Sequence, residues 1–281
     1  MFARVASLRQ WLPQRWFYAG ISILTVGAIM IGQPQMSQSA DLFQLLLRGA
    51  QIVQLSNMSD AQEITLGEQT NQSLLSEVRI SRNPALTNYV NQIGQRLARN
   101  SARPNLKYTF QVVEDDNINA FATMGGFVYV NTGLMKAADN EAQLAGVIGH
   151  EIGHIAGRHS LQHIKQAAIS QGVSSLFGVD RDRIVQIGVQ VALTLPNSRQ
   201  DEYDADRRGL TTMIQSGYAP SAMPEFMKKL ITSKSSPEFL SSHPAVPERV
   251  VNLQRMIPAA YRNRTGGLNA STYKQSLRSF F

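Results

Sequence analysis

The stretch from Asn140 to Arg158 limits what this chain can fold into more than any other part of it. Asn140, followed three places on by Gln143, is a helix-opening signal. Leu144, Val147, Ile148, Ile152 and Ile155 then recur at a spacing that predicts a largely buried helix from Glu141 to about Arg158. His150, Glu151 and His154 sit in the middle of it. A buried imidazole pair and a carboxylate are costly without partners, so the fold must give them a task. Residues four apart lie one turn above each other on one helix face, so His150 and His154 can reach a single ion. Glu151 is displaced around the helix, beside such an ion. There it can take a proton from a metal-activated water and pass it to a leaving amine. The 281 residues include no cysteine, so any metal is held by His, Asp or Glu, and one Zn²⁺ per chain is the expected cofactor.

Two imidazoles leave a zinc site one protein ligand short. A metzincin signature would put a third His at position 160, but that residue is Ser160 and His159 is one place off, so this reading fails. The other common solution takes a Glu from a downstream helix and leaves a position open for water. Glu202 fits, one turn into a helix capped by Ser198. Asp206 lies one turn further along the same face and can accept from a ligand imidazole, fixing its tautomer. The plainer reading of Glu202 is an acidic helix start favoured by the helix dipole, and that reading suits Asp201 and Asp204.

Around this centre the pattern is mainly helical. Ser59 with Gln62 opens a helix from Asp60 to about Val78, and Asn83-Pro84 opens another with Leu86, Tyr89, Val90, Ile93 and Leu97 on its buried stripe. The period then becomes extended: Tyr108–Val113 and Phe127–Val130 read as strands, with an irregular stretch between them that includes Gly125-Gly126. After the metal helix come a helical region from His159 to Phe177 and an apolar helix with Ile184, Ile187, Val189, Val191 and Leu193. A helix from Ser198 to Gly217 follows, then two shorter ones, Ala222–Thr232 and Pro247–Ile257. The fold class is α+β, mainly helical, with a small β-sheet beside the metal helix.

The net charge of +7 invites a nucleic-acid reading until it is located. Arg4, Arg9 and Arg15 precede Asp41, the first acidic residue, which leaves +4 dispersed over the rest of the chain, so no nucleic-acid partner is expected. Those three arginines precede an apolar run from Phe17 to Gly32, and Ser37-Gln38-Ser39 supplies small residues before Ala40. This is the layout of an export signal, with an uncleaved membrane anchor as the alternative. The domain expectation is therefore 1–39 signal or anchor, 40–258 metallopeptidase domain and 259–281 polar tail.

Several spaced motifs together resemble the CAAX-prenyl-protease-like and HtpX-like zinc metallopeptidases (metallopeptidase family 48), especially a soluble bacterial periplasmic branch. They are Asn119-Ala120-Phe121-Ala122…Gly125-Gly126, Asn131-Thr132-Gly133-Leu134, His150-Glu151-Ile152-Gly153-His154 with His159, Glu202…Ala205-Asp206…Gly209, and Ser242-His243-Pro244 with Arg249. The resemblance implies a zincin-like fold with His150, His154 and Glu202 as ligands and Glu151, His243 and Asp206 as catalytic residues. His243 would either donate to a developing oxyanion or fill the open metal position, and Arg249 would brace its loop. His159 and His163 would end or support the metal helix.

Gly126, Phe127, Val128, Tyr129 and Val130 resemble an edge strand that pairs with substrate backbone. Met124 stands where the family usually has Pro, which frees an amide and loosens that rim. The implied substrates are unfolded or misassembled envelope proteins. The rival role is a chaperone or assembly factor using the same groove. Where membrane-embedded relatives carry spanning helices, Lys165, Gln166, Gln171, Arg181, Asp182, Arg183, Gln186 and Gln190 interrupt the apolar pattern, which predicts a hairpin packed on the domain. Membrane-surface association and a lid role for that hairpin stay open.

Overall fold

The computed structural model describes residues 58–171, 181–194, 196–233, 237–244 and 247–281. The expected export segment lies outside these residues, as does the continuation of the helix from His159 towards Phe177. Helix α1 (Asp60–Glu77) opens on the capping box: Gln62 N donates to Ser59 Oγ, and Ser59 N donates to Gln62 Oε1. Asn83 caps α2 (Pro84–Ala98), which buries Leu86, Val90, Ile93 and Leu97 and only partly covers Tyr89.

Three strands follow where two were expected. β1 (Thr109–Val113) and the last strand fall close to the predicted positions, but the irregular stretch between them contains β2 (Ala120–Thr123). All four β2 residues are buried, so they show no inside–outside alternation to reveal a strand. β3 (Phe127–Asn131) lies between the other two, parallel to β1 and antiparallel to β2. This corrects the expectation for Phe127, Val128, Tyr129 and Val130: they form the central strand, paired on both sides, and Gly126 closes the 3₁₀ turn before it. A continuous apolar run reports cover on both faces and does not tell a central strand from an edge one. The outer side of β1 is closed by the segment around Ile80, with Ser81 N donating to Val112 O. The outer side of β2 has no strand beside it among the described residues. The turn at Met124 is not loose: its side chain is buried with Met58, Leu66 and Leu161, which holds the rim without proline.

After α3 (Thr132–Ala137), Asn140 Oδ1 accepts from Gln143 N and opens α4 (Glu141–Gly157), the metal helix of the sequence. α5 (His159–Ser170) and α6 (Arg181–Thr194) bury Leu161, Ile164, Ala168, Ile184, Ile187 and Val191 in one cluster with Met58, Leu66 and Met124. The pair therefore packs on the domain. Among the described residues no helix is long and apolar enough to cross a membrane. α7 (Arg199–Gln215) starts on a capping box between Ser198 and Asp201. Then come α8 (Ala222–Ile231), the short α9 (Phe239–Ser242) and α10 (Pro247–Met256).

The expected polar tail carries α11 (Ala270–Arg278), whose buried Tyr273 donates to Met135 O at 2.6 Å. Gly267 O accepts from Ala142 N at 3.0 Å, which ties the segment to the start of α4.

The packing that makes the site is α4 against α7. A Cβ at Gly153 would lie 2.6 Å from Ala205 O, so the two backbones can touch there only because position 153 has no side chain. That close approach brings the first turns of α7 to the imidazoles of α4.

Candidate metal centre

Four donor residues from three segments converge: His150 and His154 on α4, Glu202 on α7, and His243 just after α9. Their ligand atoms lie within 4.8 Å of one another, and all four residues are buried. His150 Nε2 is 3.0 Å from His154 Nε2, 3.4 Å from Glu202 Oε2 and 3.3 Å from His243 Nδ1. Glu202 Oε1 is 3.2 Å from His154 Nε2 and 3.1 Å from His243 Nδ1. Metal–ligand bonds of about 2.0–2.1 Å in a tetrahedron put ligand atoms roughly 3.3 Å apart. The observed separations cluster around that edge length.

The donor set and its charge fit a divalent cation. Glu151 Oε1 is enclosed and makes no hydrogen bond, with His243 Nε2 3.4 Å away, which is rare for a buried polar atom unless something else answers it. Three buried carboxylates, on Glu151, Glu202 and Asp206, surround the cluster with Arg249 among them. One guanidinium against three carboxylates leaves room for two positive charges.

Asp206 lies one turn beyond Glu202. Its Oδ1 is 3.0 Å from His150 Nδ1, and the Arg249 fork grips both carboxylate oxygens at 2.8 and 2.7 Å. Arg249 also donates to Pro244 O at 3.0 Å and touches Glu202. It braces the His243 loop, as the resemblance implied. Its hold on Asp206 and Glu202 had no signal in the sequence, because these partners lie 43 and 47 residues away in the chain. Asn197 was missed likewise: its amide N donates to Ser242 O at 3.0 Å, and its side chain lies 3.3 Å from His243 Nδ1.

The electrostatics separate the two α4 imidazoles. Burial disfavours a charged His150, but Glu202 and Asp206 outweigh that and push its pKa up to about 9. Burial pulls His154 down to about 3, so it is neutral. For Glu202, burial opposes ionisation, yet the imidazoles of His243 and His150 hold its carboxyl well below the ordinary range. Burial raises the Glu151 carboxyl, which makes it a stronger base.

Neither His159 nor His163 joins the four donors. His163 Nε2 sits 2.9 Å from Asp201 Oδ2, away from the cluster. His159 is buried behind His154, with its Nδ1 2.9 Å from His154 Nδ1 and its Nε2 3.3 Å from Asp204 Oδ2. Gly126 and Phe127–Val130 lie in or beside the central strand, as described above, so the unpaired edge nearest α4 belongs to β2.

Comparison with known proteins agrees with this geometry. The profile of Peptidase family M48 matches residues 84–257. The chain is 30% identical over 246 residues to the beta-barrel assembly-enhancing protease of Escherichia coli (strain K12), covering 81% of this chain and 50% of that protein. It is 29% identical over 185 residues to the mitochondrial metalloendopeptidase OMA1 of Schizosaccharomyces pombe, covering 63% of this chain and 55% of that one. It is 29% identical over 251 residues to metalloprotease LoiP of Escherichia coli (strain K12), covering 84% and 95%. The chain thus spans about half the length of the beta-barrel assembly-enhancing proteases it matches.

Proposed function

The chain belongs to peptidase family M48, and from that premise we propose that it is a zinc endopeptidase acting on unfolded or misassembled proteins of a bacterial envelope. The observation that carries the reading is the near-tetrahedral spacing of His150, His154 and Glu202 with the unpartnered Glu151 Oε1 beside them. His150 Nε2, His154 Nε2 and a Glu202 oxygen would hold the ion. Zinc supplies Lewis acidity there, polarising a carbonyl and making water acidic enough to attack it.

The chain's own groups do the rest. Glu151 Oε1 takes the proton of the attacking water and delivers it to the leaving nitrogen. Asp206 holds His150 in place, and Arg249 holds Asp206. His243 Nδ1 lies 3.3 Å from His150 Nε2 and 3.1 Å from Glu202 Oε1, so it could serve as a further ligand and its imidazole would have to move aside for a peptide; this favours the blocking role over that of an oxyanion donor.

A substrate strand would add to the outer side of β2. Asn131 N donates to Asn119 O, so by alternation the backbone groups of Ala120 and Ala122 face away from β3. Backbone pairing of this kind holds an extended peptide with little side-chain selectivity. Ser160 Oγ now donates to Ala122 O at 3.3 Å, so α5 must yield for pairing to occur. The export pattern of the amino terminus supports a periplasmic site of action, either free or tethered at the inner membrane.

The test is incubation with an unfolded protein, with and without a zinc chelator, beside Glu151→Gln. Cleavage that survives both treatments rejects the proposal. A second reading, an assembly factor that grips client strands and rarely cuts, is favoured by the buried state of the site and by the likeness to the Escherichia coli beta-barrel assembly-enhancing protease. If Glu151→Gln complements a deletion strain fully, that second reading replaces the first.

A further inference from the structure

The break between α4 and α5 is a costly piece of backbone, because the left-handed residue that ends α4 is not a glycine. Arg158 adopts φ 56°, ψ 31°, and among the described residues it is the one non-glycine residue with positive φ. Its side chain is pinned by Glu63 Oε2 at 3.0 Å, by Met58 O at 3.3 Å and by Asp60, so the strained turn is firmly held. A left-handed residue retained by so many contacts points to a constraint at the position it redirects. In an unbroken helix, residue 159 would project about 140° around the axis from residue 154. The break instead turns His159 back until its Nδ1 is 2.9 Å from His154 Nδ1. Gly157 makes room for the ring: a Cβ there would lie 2.3 Å from His159 Nε2.

We propose that His159 is a positioning residue that, through Asp204, fixes the tautomer and orientation of His154 for metal binding. The chain of donors and acceptors runs in one direction. Asp204 is paired with Arg208 and Arg207 and offers His159 a carboxylate oxygen, which accepts, so His159 carries its hydrogen on Nε2, 3.3 Å from Asp204 Oδ2. With that hydrogen on Nε2, His159 Nδ1 is the accepting nitrogen of the 2.9 Å contact, and His154 donates from Nδ1. That leaves the His154 Nε2 lone pair aimed at His150, Glu202 and His243. His154 thus gains from His159 and Asp204 what His150 gains from Asp206. The role of Asp204 is consequently more than that of a charge at a helix start.

The inference rests on the metal site proposed above, and the experiment separates the two. Zinc affinity is measured by chelator competition on the full chain for wild type, His159→Ala, His159→Asn, His163→Ala and His150→Ala. Asn places an oxygen where the His159 Nδ1 stands and can accept the same hydrogen bond. His159→Ala is expected to bind zinc about 10- to 100-fold more weakly, with His159→Asn restored to within about threefold of wild type. His163→Ala, in the same groove but off His154, should bind as wild type does.

Cobalt(II)-loaded protein gives a spectroscopic readout: its visible bands should change in His159→Ala and return in His159→Asn. Should neither variant fold, ring ¹⁵N shifts of the zinc-loaded wild type decide, with the His154 hydrogen expected on Nδ1 and that of His159 on Nε2. The inference is overturned if His159→Ala binds zinc as wild type does, if His159→Asn fails to restore binding, or if the His159 hydrogen is on Nδ1. Full zinc binding by His150→Ala would instead remove the metal site itself, and this inference with it.

Discussion

Replacing Arg249 with methionine removes a fully buried guanidinium and keeps most of its volume, so the loss reads charge and hydrogen bonding more than packing. Arg249 is 1% exposed and gives Asp206 two charge-assisted bonds, at 2.8 and 2.7 Å, and Pro244 O a third, at 3.0 Å. Without it Asp206 and Glu202 remain buried with less compensation. Removing one partner of a buried pair costs about 3–5 kcal/mol, far more than the pair is worth against an apolar replacement.

A domain of this size loses roughly 2–4 °C of melting midpoint per kcal/mol, so chelator-treated Arg249→Met should melt about 6–20 °C below wild type. Arg249→Lys keeps the charge but not the planar fork, and should fall between the two. Asp206→Asn combined with Arg249→Met should lose less than the sum of the single losses, by about 1–3 kcal/mol, because the double variant no longer strands the Asp206 charge and only Glu202 loses its guanidinium contact.

The pH dependence has a definite sign. Burial raises the Asp206 carboxyl, Arg249 and His150 more than reverse it, and the net folded value is below the unfolded one. Its contribution is therefore fully present above the unfolded value of about 3.9 and is lost as pH falls through the lower folded value. In Arg249→Met the Asp206 carboxyl loses the partner that most lowers it, so the gap between the two proteins should be level above the variant's higher folded value and close as pH falls from there towards the wild-type one. Thermal melts by circular dichroism across pH measure all of this. A loss under about 1 kcal/mol for Arg249→Met, or losses that simply add in the double variant, would refute the reasoning.

Glu151→Gln should lower turnover on an unfolded substrate by about 10²- to 10⁴-fold while leaving zinc stoichiometry intact, as read by single-turnover assays and metal analysis. Gly153→Ala puts a methyl group against Ala205 O, where the contact would be 2.6 Å, and should cost about 1–3 kcal/mol by prising α4 from α7. Calorimetric melts and chelator competition should show lost stability and weakened zinc binding together. Zinc at a hundredfold excess over its dissociation constant should stabilise the wild-type fold by about 2.7 kcal/mol, and that gain should vanish in His150→Ala.

Much of the site was legible because helices translate spacing into geometry. The four-residue interval of His150 and His154, and that of Glu202 and Asp206, each mean one turn on one face, whatever the rest of the chain does. The Asn140, Ser59 and Ser198 caps were legible for the same reason: a side chain reaching its own helix start depends on three residues, not on the fold.

What failed to show in the sequence depends on contacts between distant segments. β2 escaped because it is buried on both sides and has no alternation to read. The edge position was assigned to β3 because an apolar run reports burial, whereas strand order is set by the partners on either side. The Arg249 fork, the Asn197 link and the approach of His243 to His150 join residues 43 to 93 positions apart. Asp204 looked like an ordinary helix-start acid until the left-handed turn at Arg158 brought His159 between it and His154.

The sequence alone therefore determined which helix bears the chemistry and which of its faces carries it, since the helical period is a property of the backbone. Only tertiary structure decided what surrounds those side chains. The close packing of α4 on α7 at Gly153, and the loop that Arg249 braces, set which charges meet in a space too small for water to screen them.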